Sequence, residues 1–205
     1  MNSNKSSPPT KETKGIVVDL GTGDGRFVYQ SARQNPHRFY LGVDASTNSL
    51  EKLSEKIHRK PAKGGLKNAL FIQAAVEALP EELDGIADEV HIHFPWSSLL
   101  KGVATGDETI LQNIHRICAP DAVLEVIIGV DQERDASELK RLEIDHLSED
   151  FITTTLAQRY QDCGFQIIEF GTFPAGNWPN ICTSWAQRLR NNDKRSIVYF
   201  IATSV

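Results

Sequence analysis

Three short stretches of the chain carry side chains whose types and order could hold a small charged ligand. The first is Asp19-Leu20-Gly21-Thr22-Gly23-Asp24-Gly25, which follows the apolar run Ile16-Val17-Val18. Glycines let backbone approach a ligand closely. Their spacing here is G-x-G-x-G, not the G-x-G-x-x-G that seats a dinucleotide pyrophosphate on a helix start. Asp19 and Asp24 would repel a pyrophosphate and suit an ammonium group, such as the methionine end of S-adenosylmethionine. Asp44 closes a second apolar run, where a carboxylate can accept hydrogen bonds from both ribose hydroxyls. Ala75-Val76-Glu77 closes a third, where small apolar groups can flank an adenine ring. Each signal alone is weak: a glycine turn is often only a turn, and a strand-end Asp is often a helix cap. Taken in order, they favour S-adenosylmethionine over a nicotinamide cofactor.

A fourth stretch is His93-Phe94-Pro95-Trp96-Ser97-Ser98-Leu99-Leu100. Many methyltransferases acting on base nitrogens have a short Pro-aromatic motif at the corresponding place, its ring stacked on the base. A tryptophan here could equally be core. His91 and His93 alternate onto one strand face. They read as structural, since no third ligand is evident and a metal has no role in this chemistry.

These residues need elements to place them. Apolar runs at 15–20, 39–43, 69–74, 89–94, 122–128, 165–170 and 196–202 read as strands, with helices expected over 26–35, 46–59, 107–118 and 148–162. Pro61 stops the second helix, and Lys63-Gly64-Gly65 makes a flexible basic loop. Ser148 and Glu149 begin the fourth helix and Gly164 ends it. Alternating strands and helices predict an α/β fold, a mostly parallel seven-stranded sheet with helices on both faces and the four stretches at its carboxyl ends. Too little chain separates the last two strands for a full crossover, so a final antiparallel strand is expected. Residues 1–14 are polar, contain Pro8-Pro9 and read as a flexible tail, leaving 15–205 as one domain. The linkers 129–147, charged with a short helix, and 171–190, a Pro/Gly/Asn loop followed by a short helix, are expected to contribute to the target site.

The 205 residues are 40% hydrophobic and 24% charged, which excludes a disordered or fibrous chain. No apolar run approaches a membrane span, and the N-terminus lacks the apolar centre of a signal peptide. Cys118, Cys163 and Cys182 show no C-x-x-C spacing, arguing against a disulfide scaffold or zinc site and for the cytoplasm. Net charge is −5, but it is polarised. Residues 51–70 sum to +4 and residues 186–205 to +3, leaving −12 for the remainder. A lysine-rich stretch is often only a solvated helix face, yet two basic segments brought onto one face can bind a polyanion.

The stretches Asp19-Leu20-Gly21-Thr22-Gly23-Asp24-Gly25-Arg26, Lys60-Pro61-Ala62-Lys63-Gly64-Gly65-Leu66, Phe94-Pro95-Trp96-Ser97-Ser98-Leu99-Leu100 and Ser184-Trp185-Ala186-Gln187-Arg188-Leu189, followed by Lys194-Arg195-Ser196, together resemble the aminoglycoside-resistance methyltransferases that modify N1 of adenine 1408 of 16S rRNA. The similarity runs from about residue 16 to the end, and the last three stretches are the more specific. The resemblance implies a Rossmann-like class I methyltransferase fold, S-adenosylmethionine as cofactor with S-adenosylhomocysteine as product, and the 30S subunit as partner of a monomer. It implies that Trp96 and Trp185 stack on a flipped adenine. Thr183 and Ser184 would close a cofactor site that also takes His93, Phe94, Pro95, Ser97 and Ser98. Lys56, Arg59, Lys60, Lys63, Arg188 and Arg195 would contact RNA. The chain departs from the family pattern in its short polar N-terminus and in Glu55 and Asp193, which stand where better-known members carry positive charge.

No metal and no catalytic base are expected. Adenine N1 keeps its lone pair at neutral pH, and the sulfonium is already an activated donor, so alignment is what remains. The alternatives are a methyltransferase for another RNA base, tRNA or guanine N7 included, or for a small molecule, and a non-catalytic S-adenosylmethionine-dependent RNA-binding protein. The charge of 129–147 argues against the apolar lid a small-molecule enzyme would need.

Overall fold

The computed structural model describes residues 15–46, 48–131, 133–144, 147–173 and 197–205. Seven strands form one sheet: β1 (Ile16–Leu20), β2 (Phe39–Asp44), β3 (Ala69–Gln73), β4 (Ala87–His93), β5 (Cys118–Ile128), β6 (Phe165–Phe173) and β7 (Ile197–Ser204). Their order is β3-β2-β1-β4-β5-β7-β6. The first five are parallel, and β7 lies antiparallel between β5 and β6. The final antiparallel strand expected from the short last connection is therefore present.

Strand periodicity sorts side chains between two layers. Val18, Val90 and Leu124 lie in register on one face and join the main apolar core. That core is covered by α3 (Ser97–Thr105), α4 (Glu108–Ile117), α5 (Ala136–Arg141) and a helical stretch made of α6 (Glu149–Phe151), a π-helical segment (Ile152–Leu156) and α7 (Ala157–Asp162). On the other face α1 (Arg26–Gln34) and α2 (Glu51–Ile57) enclose a second, smaller core around Val28, Tyr29, Tyr40 and Ile57. Side chains cap two helices: Asp107 accepts from the Ile110 amide (3.1 Å), and Ser148, the start expected from the sequence, accepts from the Phe151 amide (3.2 Å). Gly164, at φ +85°, follows the last helix.

Several boundaries move, and one helix was not expected. Helix α2 is shorter than the expected 46–59, and β5 begins at Cys118 instead of 122. The sequence reading assigned no helix to 97–105, where α3 stands. Leu99, Leu100, Gly102, Val103 and Ala104 of α3 are all buried, and only a narrow stripe of Ser97, Ser98, Lys101 and Thr105 is left to mark its period. A Cβ on Gly102 would lie 2.4 Å from Ile110, which is how closely α3 packs on α4. The 129–147 segment is also less of a free linker than its charge suggests, because Leu139, Leu142, Ile144 and Leu147 all enter the core.

The basic loop after α2 is held by backbone. A short 3-10 turn at Pro61–Lys63 is followed by Gly64 at φ +87°. The Gly65 amide donates to Lys60 O (3.2 Å), and the Tyr29 hydroxyl donates to Gly64 O (3.0 Å). A Cβ on Gly65 would fall 1.6 Å from Arg59 O, and that backbone atom cannot swing aside. We expect Gly65→Ala to cost about 1–3 kcal/mol by overpacking, read in urea unfolding, and to displace the loop's lysines. An unchanged midpoint would show the approach to be less tight.

Candidate active site

The carboxyl ends of β1 to β4 open onto one cleft of ≈ 490 Å³, within the size range of small-ligand sites. It lies where chain order reverses, between β1 and β4, the position a doubly wound sheet offers a ligand. The glycine turn forms one wall. Its Gly21 and Thr22 amides donate to Val43 O (2.8 and 3.1 Å), tying it to the end of β2. Gly21, Gly23 and Gly25 have φ of 74°, 59° and 72°, the left-handed region that glycine enters without a Cβ penalty. A Cβ at Gly23 would meet nothing within 4 Å, whereas one at Gly25 would strike Phe71 at 2.6 Å. Gly23 therefore faces open space, and Gly25 is glycine for packing.

Asp44 sits opposite. One carboxylate oxygen accepts from the Gly23 amide (2.8 Å), the other from the Ser46 amide (2.9 Å). A carboxylate has about four acceptor positions, so this orients Asp44 and leaves capacity for a vicinal diol. Ala74, Ala75, Val76 and Glu77 line the far side, with Val43 behind.

Most residues expected to bind the cofactor line this cleft: Gly21, Gly23, Asp44, Ala75, Val76, Glu77, His93, Phe94, Pro95, Ser97 and Ser98, together with Asp24 and Trp96. Asp19 and Gly25 do not. Asp19 is buried and accepts a 2.5 Å hydrogen bond from the Thr22 hydroxyl. Burial pushes its carboxyl above the ordinary range, against the lowering effects of His93 and of that hydrogen bond. Its place is under the glycine turn. Asp24 is partly neutralised by Arg26 at 3.1 Å, so the local negative charge is smaller than the sequence suggests. Thr183, Ser184, Trp185, Arg188 and Arg195 lie outside the described residues.

The last wall is the turn after β4. Phe94 and Ser97 have φ of 52° and 55°, which costs non-glycine residues about 1–3 kcal/mol each. The Phe94 amide anchors the turn by donating to Ile127 O (2.7 Å). Between them Trp96 is extended (φ −136°, ψ 164°) at the N-cap of α3 and 45% exposed. It is a cleft-lining ring, not core.

Behind the cleft a polar seam crosses the sheet. Asp19, His91 and Glu125 are register partners on β1, β4 and β5. Glu125 Oε1 lies 3.0 Å from His91 Nδ1 and 2.7 Å from His93 Nε2, and Glu89 lies 3.4 Å from His91 Nε2. Phe27 of α1 covers both imidazoles, with centroids at 5.2 and 4.7 Å. Sequence reading missed Glu125. Only strand register discloses it, because 32 residues separate it from His93. Burial disfavours a charged His91, but hydrogen bonds to Glu125 and Glu89 outweigh it and raise the imidazole to about 9. The hydrogen bond from His91 holds Glu89 down at about 2 despite burial.

Comparison with known proteins fixes the family. The family model described as "NpmA: 16S rRNA (adenine(1408)-N(1))-methyltransferase" matches residues 2–204. The chain belongs to that family. It is 35% identical over 182 residues to the 16S rRNA (adenine(1408)-N(1))-methyltransferase of Escherichia coli, covering 88% of this chain and 83% of that one. It is 36% identical over 180 residues to the enzyme of the same name from Streptoalloteichus tenebrarius, covering 88% and 82%. The crystal structure of a tryptophan-to-alanine mutant of the Catenulisporales acidiphilia enzyme with cosubstrate SAM superposes with a TM-score of 0.85 at 31% identity, covering 95% of this chain and 87% of that one. The chain is thus an S-adenosylmethionine-dependent methyltransferase, and its cleft fits that cofactor: a bidentate carboxylate for the ribose, small apolar residues for the adenine, and an open Gly23 turn.

Asp44→Ala should weaken S-adenosylmethionine binding about 10- to 100-fold in calorimetry, the worth of hydrogen bonds to a charged acceptor. Unchanged affinity would remove Asp44 from the ribose site. The seam carries a pH signature. Because the folded-state pKa of His91 exceeds the ordinary 6.5, its contribution to stability is complete below pH 6.5 and is lost as pH rises through about 9. The melting temperature should fall across that window, and Glu125→Gln should flatten the fall. Equal slopes in both proteins would refute the coupling.

Proposed function

We infer that this family member transfers the methyl group of S-adenosylmethionine to N1 of adenine 1408 of 16S rRNA in the 30S subunit, working as a cytoplasmic monomer and conferring aminoglycoside resistance. The observation that carries the reading is Trp96, an exposed indole at the rim of the cofactor cleft, held out by a turn with two left-handed non-glycine residues.

The bound sulfonium supplies an activated methyl group. The rest is positioning. A stacked or paired adenine cannot present N1 to the cleft, so the base must leave its helix. Trp96 gives it a face, and Trp185 is assigned the opposite face. Two indoles also favour the product, because N1-methylation makes the base cationic. Pro95 fixes the backbone before Trp96, and no side chain is required to remove a proton from N1.

The basic loop suits phosphate docking. Lys56 lies 4.4 Å from the Tyr29 ring centroid, which directs its ammonium along the surface of α1. Arg59, Lys60 and Lys63 are exposed, and Arg59 meets Glu55 only at 3.8 Å. With Arg188 and Arg195 they would grip folded RNA by shape, through its phosphates. No helix among the described residues is long and apolar enough to cross a membrane.

With purified 30S subunits and labelled cofactor, reverse transcription should arrest beside adenine 1408. Label incorporated without that arrest would move the target to another base. Trp96→Ala and Trp185→Ala should each lower kcat/KM about 5- to 150-fold, matching about 1–3 kcal/mol of stacking, with Phe retaining more activity. Full activity in both alanine variants would reject the stacking slot. Lys60→Ala should flatten the salt dependence of subunit binding by roughly 0.7–0.9 in the log–log slope and leave cofactor affinity unchanged. A parallel loss of cofactor affinity would mark the lysine as structural.

A further inference from the structure

The polar seam behind the cleft has more ligating capacity than the methyl transfer uses. From the juxtaposition of His91, His93 and Glu125 on adjacent strands, we propose a divalent transition-metal site of the zinc class that ties β4 to β5.

The three residues each offer one donor atom, and those atoms lie within 4.8 Å of one another. Two histidines at i and i+2 on a strand plus one carboxylate is a donor set that suits zinc, with Zn–N and Zn–O bonds near ~2.0–2.2 Å. Tetrahedral bonds of that length require ligand atoms roughly 3.3 Å apart. Glu125 Oε1 stands 3.0 Å from His91 Nδ1 and 2.7 Å from His93 Nε2. Widening these gaps by a few tenths of an ångström admits an ion where the carboxylate now bridges two imidazoles. Glu89, 3.4 Å from the other nitrogen of His91, is placed as the outer carboxylate that orients a ligating histidine.

Electrostatics points the same way. Asp19, Glu89 and Glu125 bring three carboxylates to this face, and among the described residues Arg38, 2.8 Å from Glu89, is the arginine or lysine paired with them. A divalent ion would take the place of the proton that His91 holds between Glu89 and Glu125 and add positive charge to this acidic face. The site is also reachable: the Glu125 side chain is 32% exposed, while Phe27 covers the imidazoles from the α1 side. Buried His93 Nδ1 has no hydrogen-bond partner among the described residues, and rigid metal ligation through Nε2 would hold the ring's position. The role is structural. The ion would clasp the two strands whose ends present the Phe94–Ser97 turn, with no part in the transfer.

The test uses chelator-treated full-length protein, titrated with Zn²⁺ in calorimetry and with Co²⁺ by visible absorption, without RNA or cofactor. The expected result is one equivalent bound at micromolar Kd or tighter, with the intense d–d bands of four-coordinate cobalt. In ¹⁵N-histidine spectra, two of the six histidines should shift, and they should be His91 and His93. Glu125→Gln and His91→Gln should each weaken Kd at least ~10-fold, and His58→Gln should not change it. Absence of a one-equivalent event, a thiolate-to-cobalt charge-transfer band, or shifts confined to other histidines would overturn the site. The wild-type spectra decide the question even where His91→Gln fails to fold.

Discussion

Everything at the functional end of this molecule depends on β1 being paired in parallel with both β2 and β4. Parallel strands end together. The chain leaves β1 towards β2 and β3 on one side, then crosses to β4 and β5 on the other. The loops after β1 and β4 therefore part, and the cleft opens between them. The glycine turn, Asp44, Ala75 and Trp96 are separated by 20 to 30 residues of sequence at each step, yet all line that opening. The main-chain pairing of these parallel strands brings their carboxyl ends together. The donation of two turn amides to Val43 O then fixes the glycine loop to the neighbouring strand.

Stability is given up at the site in two ways. Phe94 and Ser97 occupy backbone conformations that their side chains disfavour, and the return is an indole standing in solvent instead of packing in the core. Asp19, Glu89, His91 and Glu125 bring charge into a sheet that could have been apolar. Such groups are tolerable only when paired, and the seam pairs them in sequence: Arg38 with Glu89, Glu89 with His91, Glu125 with both histidines. The opposite face, where Val18, Val90 and Leu124 align, is apolar and carries the principal core. One face of the central strands stabilises the fold and the other carries the polar chemistry.

The acidic body and basic loop divide the electrostatic work. Lys60 and Lys63 face solvent on a loop whose shape Gly65 and Tyr29 impose. A polyanion docking there would meet a surface already formed, at little ordering cost to the protein. Glu55 moderates that surface by pairing loosely with Arg59.

Much of this could be read from sequence. Period and punctuation gave the strands and three of the expected helices with small boundary errors, because apolar runs ending in Gly, Asp or Pro constrain the backbone locally. The order of the glycine turn, Asp44, Ala75 and Pro95-Trp96 was enough to expect them around one cleft, since strand ends in such a fold converge by rule. Tertiary structure decided what depends on neighbours distant in the chain. It placed Asp19 and Gly25 beneath the cleft instead of in it, because burial is a property of what packs on top. It made 97–105 a helix packed on α4, where the short polar stripe of Ser97, Ser98, Lys101 and Thr105 marks the period only weakly. It set Glu125 beside His91 and His93, because strand register, which no local pattern records, chooses which residues meet across a sheet.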